Sequence, residues 1–220
     1  MNFEGLMALT NLASIDEDHR RKICDTKEMI PAIESCALEE HYMVRRAAVQ
    51  LICNLCACEK YQNLFKLIDG QQSTCDRLKM LVLMCQEDDN ETRAAAAGAL
   101  ATLTNFSSEI AVLVRNSCQS WKECLELAAF DHLADVRHRG LVLVLNLSHH
   151  CPETASELVN SQMKEIVIGQ HKNLPTAWPV EDEENEITEF SSEQKKMLSS
   201  IAKDIVDVWV SHKLIEPNNI

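Results

Sequence analysis

The feature that most constrains this chain is a six-residue pattern that recurs four times along its 220 residues. Each copy has a polar residue at its fourth position among mainly small or aliphatic ones, at positions 8–13, 51–56, 99–104 and 143–148. The polar positions are 11, 54, 102 and 146, so the intervals between them are 43, 48 and 44 residues. Three copies carry an arginine nine positions earlier, at Arg45, Arg93 and Arg137. A period of roughly 40–47 residues is typical of armadillo and HEAT repeats.

The apolar spacing within each period predicts two short helices followed by a long one. The second and third periods give the clearest triplets: Glu17 to Asp25, Glu28 to Leu38 and Tyr42 to Ala57, then Glu59 to Ile68, Asp76 to Cys85 and Asn90 to Phe106, with a turn at Asp69-Gly70. Such triplets favour armadillo repeats over the paired helices of HEAT repeats. We therefore predict an all-α, armadillo-type α-solenoid of about four to five three-helix repeats, the first of them partial.

The predicted repeats divide the chain into five parts. These are a partial repeat at 1–14, repeats at 15–58, 59–106 and 107–151, and a C-terminal capping repeat at 152–220 with an acidic linker near 172–190. Because an isolated repeat cannot bury its own apolar face, we expect the first, partial repeat to present an exposed apolar edge. We interpret the chain as a fragment of a longer array.

Composition narrows the classes of function. The formal net charge of −13 argues against nucleic acid as the main partner, since phosphate binding needs clustered lysine and arginine. It also argues against an anionic membrane surface, and the longest apolar stretches are far shorter than the roughly 20 residues that span a bilayer. No secretory signal opens the chain. Its ten cysteines fall largely within apolar helical patterns, which indicates free thiols and a cytoplasmic protein.

Several segments resemble the UCS-domain co-chaperones of myosin. They are Phe3 to Ser14, Glu39-Glu40-His41, Arg45 to Ala48, Cys53-Asn54-Leu55, Arg77 to Leu83, Glu87-Asp88-Asp89, Arg93 to Gly98, His138 to Asn146 and Leu214 to Asn218. The resemblance covers nearly the whole chain and is much more specific than a generic repeat signal. The sequence departs from the family between Lys172 and Phe190, where the acidic, proline-containing linker is longer than expected.

This resemblance implies a non-enzymatic protein that helps to fold and assemble the myosin motor domain. In complete members an N-terminal tetratricopeptide module recruits a heat-shock chaperone, and the armadillo region holds the myosin head. The chain lacks that module, so it corresponds to the C-terminal part of the client-binding domain.

The polar stripe of the third helices is the first place to seek a client site, because third helices line the concave face of armadillo arrays. Positions spaced by four share one helix face, and an asparagine amide both donates and accepts hydrogen bonds, as a grip on an extended peptide requires. The candidate residues are Asn11, Arg46, Gln50, Asn54, Thr102, His138 and Asn146. Alternatively, these amides satisfy neighbouring backbone groups or merely face water. The small residues Ala94 and Gly98 either widen the groove or allow close packing of helices.

Other sites are weaker. Nuclear-import receptors of armadillo fold pair such an asparagine with a tryptophan one turn earlier, where this chain has Met7, Gln50 and Val142. The Cys53-x-x-Cys56-x-Cys58 run lacks a second pair of ligands at zinc spacing, so we predict no metal, and nothing indicates a cofactor. No phosphate loop, nucleotide fingerprint or nucleophile elbow is present, so we predict no enzyme. A general armadillo scaffold for extended peptides remains the alternative, as does a segment that mainly caps the array.

Overall fold

The computed structural model describes residues 3–65, 72–178 and 189–217 as helices joined by short turns, with no β-strand among them. The long third helices are α1 (Phe3–Ile15), α4 (Tyr42–Leu55), α7 (Asn90–Phe106), α10 (Ala134–His150) and α13 (Ser192–Ser211). The shorter ones are α2 (Glu17–Asp25), α3 (Met29–Cys36), α5 (Glu59–Gln62), α6 (Gln72–Met84), α8 (Ser108–Ser117), α9 (Trp121–Ala129), α11 (Pro152–Val159) and α12 (Met163–His171). No described helix is long and apolar enough to cross a bilayer.

The third helices pack side by side in chain order, α1 on α4, α4 on α7, α7 on α10 and α10 on α13. Their inward residues join those of the shorter helices in one continuous apolar core. The predicted all-α solenoid of short-short-long helices is therefore confirmed. The division into repeats at residues 15, 59, 107 and 152 remains our proposal.

Most helix predictions agree closely with the structure. The predicted helices Glu17 to Asp25 and Asn90 to Phe106 have those bounds in α2 and α7. The prediction for Glu59 to Ile68 was too long, because α5 gives way to a 3-10 turn at Asn63–Phe65. The predicted turn at Asp69-Gly70 lies outside the described residues. Helix α6 begins at Gln72, four residues before the predicted start.

Side-chain caps fix several helix starts. An Asp16 Oδ1 accepts a hydrogen bond from the backbone N of His19 at 2.9 Å, and Asp89 Oδ2 accepts one from the N of Thr92 at 2.9 Å. Ser191 and Gln194 form a capping box at the start of α13. Each cap satisfies a backbone N–H that the helix itself leaves without an acceptor.

Helix α10 lies unusually close to α9 at Gly140. A Cβ at this position would lie 2.6 Å from the backbone carbonyl carbon of Ala128 and 2.8 Å from the N of Ala129. Backbone atoms cannot move aside as a side chain can. Glycine is therefore needed here for close approach of the two helices.

The arginine that recurs nine positions before the polar residue links neighbouring repeats. Arg45 Nη1 donates to the carbonyl of Glu39 at 2.9 Å, while its Nη2 pairs with Glu87 of the next repeat at 2.8 Å. Arg93 repeats this geometry, with Nη1 donating to the carbonyl of Glu87 at 2.8 Å and Nε pairing with Asp131 at 2.8 Å. We call these arginines the repeat struts.

The third strut, Arg137, reaches the next repeat through a backbone carbonyl, that of Ala177, where the other two struts pair with a carboxylate. It is buried, and donates to the carbonyls of Asp131 (2.7 Å), Phe130 (3.0 Å) and Ala177 (2.6 Å). Its guanidinium carbon lies 4.8 Å from the ring centres of both Phe130 and Phe190. Burial lowers the pKa of Arg137 to about 10, so it stays charged at neutral pH. This strut fixes residues 177 and 190 to the body of the array.

Candidate protein-binding face

The third-helix face is the surface formed by the outward sides of α1, α4, α7 and α10. All seven residues that the sequence proposes for a client site lie in these four helices. The structure shows which of their polar groups are already occupied by the protein and which are open.

Two of the asparagines bind the preceding third helix. Asn54 Nδ2 donates to the carbonyl of Thr10 in α1 at 3.1 Å. Asn146 is 9% exposed, and its Nδ2 donates to the carbonyl of Ala101 at 2.9 Å and to Thr104 Oγ1 at 3.2 Å in α7. Each amide therefore fixes the spacing between adjacent third helices, as the alternative interpretation of the stripe expected.

The equivalent positions in the other two copies behave differently. Thr102 Oγ1 donates to the carbonyl of Gly98 one turn earlier in its own helix, at 2.9 Å. Asn11 is exposed, and within the described chain its side chain has no hydrogen-bond partner. Its amide is therefore open to a peptide backbone.

Arg46 is held by an ion pair across two repeats. Its Nε donates to Asp89 Oδ2 at 2.9 Å, a second hydrogen bond joins its Nη2 to Oδ1, and its Cζ lies 5.5 Å from the Tyr42 ring centre. Partial burial alone would raise the pKa of Asp89. Hydrogen bonds from Arg46 and Thr92 outweigh this effect and hold that pKa at about 2. The bond to Asp89 in turn raises the pKa of Arg46.

Gln50 and His138 are the more available members of the stripe. Gln50 Nε2 makes a long hydrogen bond of 3.4 Å to Glu91, an exposed residue in the first turn of α7. His138 is half-buried, and its ring has no hydrogen bond or ion pair to the described residues. Both side chains can exchange their present surroundings for a ligand at little cost.

Arg139, which the sequence argument missed, fills the space beside the small residues of α7. Its Nη1 donates to the carbonyl of Ala94 at 2.7 Å, and Nη2 pairs with Asp135 at 3.0 Å. A Cβ on Gly98 would lie 3.0 Å from that Nη1. The groove is therefore not widened at Gly98. The sequence signal was available, because an arginine follows His138 where the neighbouring helix has only alanine and glycine.

The cysteine run lies within the packed helices. Cys56 and Cys58 are buried, and Cys53 has its Sγ 3.2 Å from the position that a Cβ on Gly98 would take. Burial raises the pKa of both Cys53 and Cys56, which keeps these thiols protonated. Across the described residues, no three His, Cys, Asp or Glu side chains are grouped as metal ligands.

We compared the sequence and the fold of the chain with those of known proteins. No protein-family model matches the chain. UNC-45 homolog B of Danio rerio is 40% identical over 166 residues, which are 76% of this chain and 17% of the relative. The structure of UNC-45 from Drosophila melanogaster matches with a TM-score of 0.77 at 29% identity, over 97% of this chain and 24% of that one. These matches confirm the resemblance of the chain to the UCS-domain family.

A further UNC-45 structure extends the family comparison. It is described as a chaperone that binds and folds muscle myosin, and it matches with a TM-score of 0.72 at 27% identity, over 92% of this chain and 20% of that one. A designed armadillo repeat protein matches at 14% identity with a TM-score of 0.54, which supports the armadillo fold alone. The chain spans less than a fifth of the length of the curated UNC-45 relatives that it matches.

Proposed function

We propose that the chain is a protein-binding segment of a myosin-directed co-chaperone, which assists the folding and assembly of myosin motor domains. The observation that carries this proposal is the UCS-domain relationship, because a structural relative is described as binding and folding muscle myosin. The stacked third helices supply a surface of the kind that holds an extended or partly folded client.

Within the third-helix face we assign two roles. Asn11, Gln50 and His138 present open or weakly engaged polar groups and contact the client directly. Arg46 and Thr102 border them, while Asn54 and Asn146 hold the helices at the spacing that the contact needs. Direct hydrogen bonding to a peptide backbone suits the first group, since amide and imidazole both donate and accept.

The test is protection of a purified myosin motor domain from heat aggregation by the purified chain. The triple substitution Asn11→Ala, Gln50→Ala and His138→Ala is expected to abolish protection without lowering the melting temperature. Asn146→Ala is the matched control for stability, and should cost about 1–2 kcal/mol because it removes buried hydrogen bonds. Protection retained by the stable triple variant would mean that the client contact lies elsewhere on the chain, and no protection by the unsubstituted chain would mean that the segment mainly caps the array.

The alternative function, a general scaffold for extended peptides, predicts a different outcome when a peptide array is added to this assay. Such a scaffold would bind short peptides on an array tightly and give no protection to an unfolding motor domain. We expect the opposite pattern, with weak binding to isolated peptides and clear protection of the domain.

We propose that the chain acts by binding and not by catalysis, in keeping with relatives described as chaperones. A cytoplasmic location is supported by the cysteines, since the nine in the described side chains are all free thiols. Any contact with a heat-shock chaperone would be made by a tetratricopeptide module, which these 220 residues do not contain.

A further inference from the structure

A second surface lies along the C-terminal ends of the second helices, away from the third-helix face. Several large apolar side chains are exposed there: Leu38, Leu83, Leu127, Phe130 and Leu174. The repeat explains their alignment, since Leu83 and Leu127 are separated by one period, as are Thr102 and Asn146. None of these side chains is needed to fill the core.

Two grooves at this edge share one wall residue, Phe130. One, of about 420 Å³, lies between the end of α6 and the end of α9, and both Leu127 and Phe130 line it. The other, of about 370 Å³, lies between Phe130 and α12, with Ile166 and Leu174 on its walls. Phe130 is common to both and is held against the Arg137 guanidinium, so the shared wall is rigid. We call this pair of grooves the second-helix groove.

The charges on its walls are predominantly acidic. Four carboxylates line the two grooves, at Glu87, Asp88, Asp131 and Glu165, against Arg93 as the one fully charged base among the lining residues. Glu87 and Asp131 are paired with repeat struts. Asp88 and Glu165 have no ion pair to any described residue, so they leave negative charge beside the apolar floor.

We propose that the second-helix groove binds an amphipathic, basic segment of a partner protein. Apolar side chains of the segment would enter the grooves beside Leu127 and Leu174, and lysine or arginine would pair with Asp88 and Glu165. Helix-in-groove recognition combines such apolar anchors with charged flanks. This surface does not depend on the proposed myosin contact, which uses the third-helix face.

Charge also excludes two other occupants. An anionic lipid surface would be repelled by the acidic rim. A second copy of the chain would bring the same carboxylates and a net charge of −13 against the groove, because a symmetric dimer joins identical patches. A basic partner is attracted by the acidic rim, which repels both an anionic lipid surface and a second copy of the chain.

The test uses fluorescence anisotropy with a synthetic helical peptide of about 18 residues, leucine on one face and lysine on the other. A twin peptide with glutamate in place of lysine is the charge control. We expect the basic peptide to bind with a Kd on the order of 10 μM, and the acidic twin not to bind. Leu127→Gln and Leu174→Gln should each weaken binding about tenfold. The double substitution Asp88→Asn and Glu165→Gln should make the affinity for the basic peptide less dependent on salt concentration.

Phe106→Gln is the matched control, because Phe106 is 59% exposed at the end of α7, against 56% for Leu127. It should leave the affinity unchanged, and all the variants should melt like the original protein because the replaced side chains are exposed. Equal binding of the acidic twin would overturn the proposal. So would equal effects of Leu127→Gln and Phe106→Gln, or a concentration-dependent dimer that Leu127→Gln abolishes.

Discussion

At the scale of single residues, Asp89 combines two tasks in one carboxylate. It accepts the backbone N–H of Thr92 at the start of α7, and it pairs with Arg46 of the preceding repeat. The side chain of Asp89 is 13% exposed, so water screens the pair less than it would on an open surface. The same group therefore begins a helix and joins two repeats.

Substitution of Asp89 separates these tasks. Asparagine caps helices about as well as aspartate, so Asp89→Asn removes the ion pair and should cost about 1–2 kcal/mol at pH 7. Because folding lowers the pKa of Asp89 to about 2, its charge stabilises the fold above the unfolded pKa of 3.8. That contribution is lost as the pH falls from about 4 to about 2.

Urea titrations at a series of pH values measure this effect. The stability gap between the two proteins should stay constant from neutral pH to about pH 5 and shrink below about pH 4. A gap that persists unchanged at the lowest pH would show that the charge of Asp89 contributes nothing. Asp89→Ala is the comparison that also removes the cap, and should be the least stable of the three.

At the scale of helices, local patterns predict more than distant ones. The bounds of α7 followed from its apolar spacing, because that signal lies within the helix itself. The partners of Asn146 and Arg93 lie about 40 residues away in the chain, in a neighbouring repeat. The sequence therefore identified the repeated polar positions, while their use as links between repeats required the packed structure.

The same limit explains why the sequence does not distinguish the surroundings of Gly98 from those of Gly140. Both occur in third helices, and no local pattern distinguishes a glycine beside a movable side chain from one beside a neighbouring backbone. In the structure the first faces the Arg139 and Cys53 side chains, and the second faces the backbone of α9.

A pair of alanine substitutions tests this difference. Alanine favours a helix over glycine by about 1 kcal/mol, so Gly98→Ala should change stability by no more than about that amount. Gly140→Ala forces α9 and α10 apart and should cost about 2 kcal/mol or more despite the same helix preference. Thermal unfolding followed by circular dichroism measures both. Equal melting temperatures for the two variants would contradict the close approach at Gly140.

At the scale of the whole molecule, Arg137 holds residues of the C-terminal repeat against the rest of the array. This strut reaches Ala177 at one end of the linker and the ring of Phe190 at the other, beside Trp178. Helix α13 follows directly and packs on α10 through Trp209, whose Nε1 donates to Ser148 Oγ at 2.9 Å. The guanidinium of Arg137 therefore adds to the packing of α13 on α10 in connecting the last repeat to the rest of the core.

Replacement of Arg137 is expected to loosen this end. Arg137→Met leaves three carbonyls without their donor, one in a fully buried and two in partly buried hydrogen bonds, and should cost about 2–4 kcal/mol. Arg137→Lys should not restore it, since an ammonium lacks the planar fork that fits between two rings. Exposure of Trp178 should shift tryptophan fluorescence to longer wavelength. Arg115→Met, which removes a half-exposed pair with Glu157, is the control and should cost less than about 1 kcal/mol.

The repeat struts also determine how the array responds to a pull along its length. Each strut joins only adjacent units, so Arg45, Arg93 and Arg137 reinforce successive junctions between third helices that also pack directly on one another. The Arg45 pair is partly accessible, so dissolved ions weaken it, whereas the Arg93 pair is largely buried and Arg137 is a buried clamp of carbonyls and rings. Rising ionic strength should therefore soften the N-terminal units and leave the C-terminal end stiff. At high ionic strength the stiffness of the array should therefore increase from its N-terminal units to its C-terminal end.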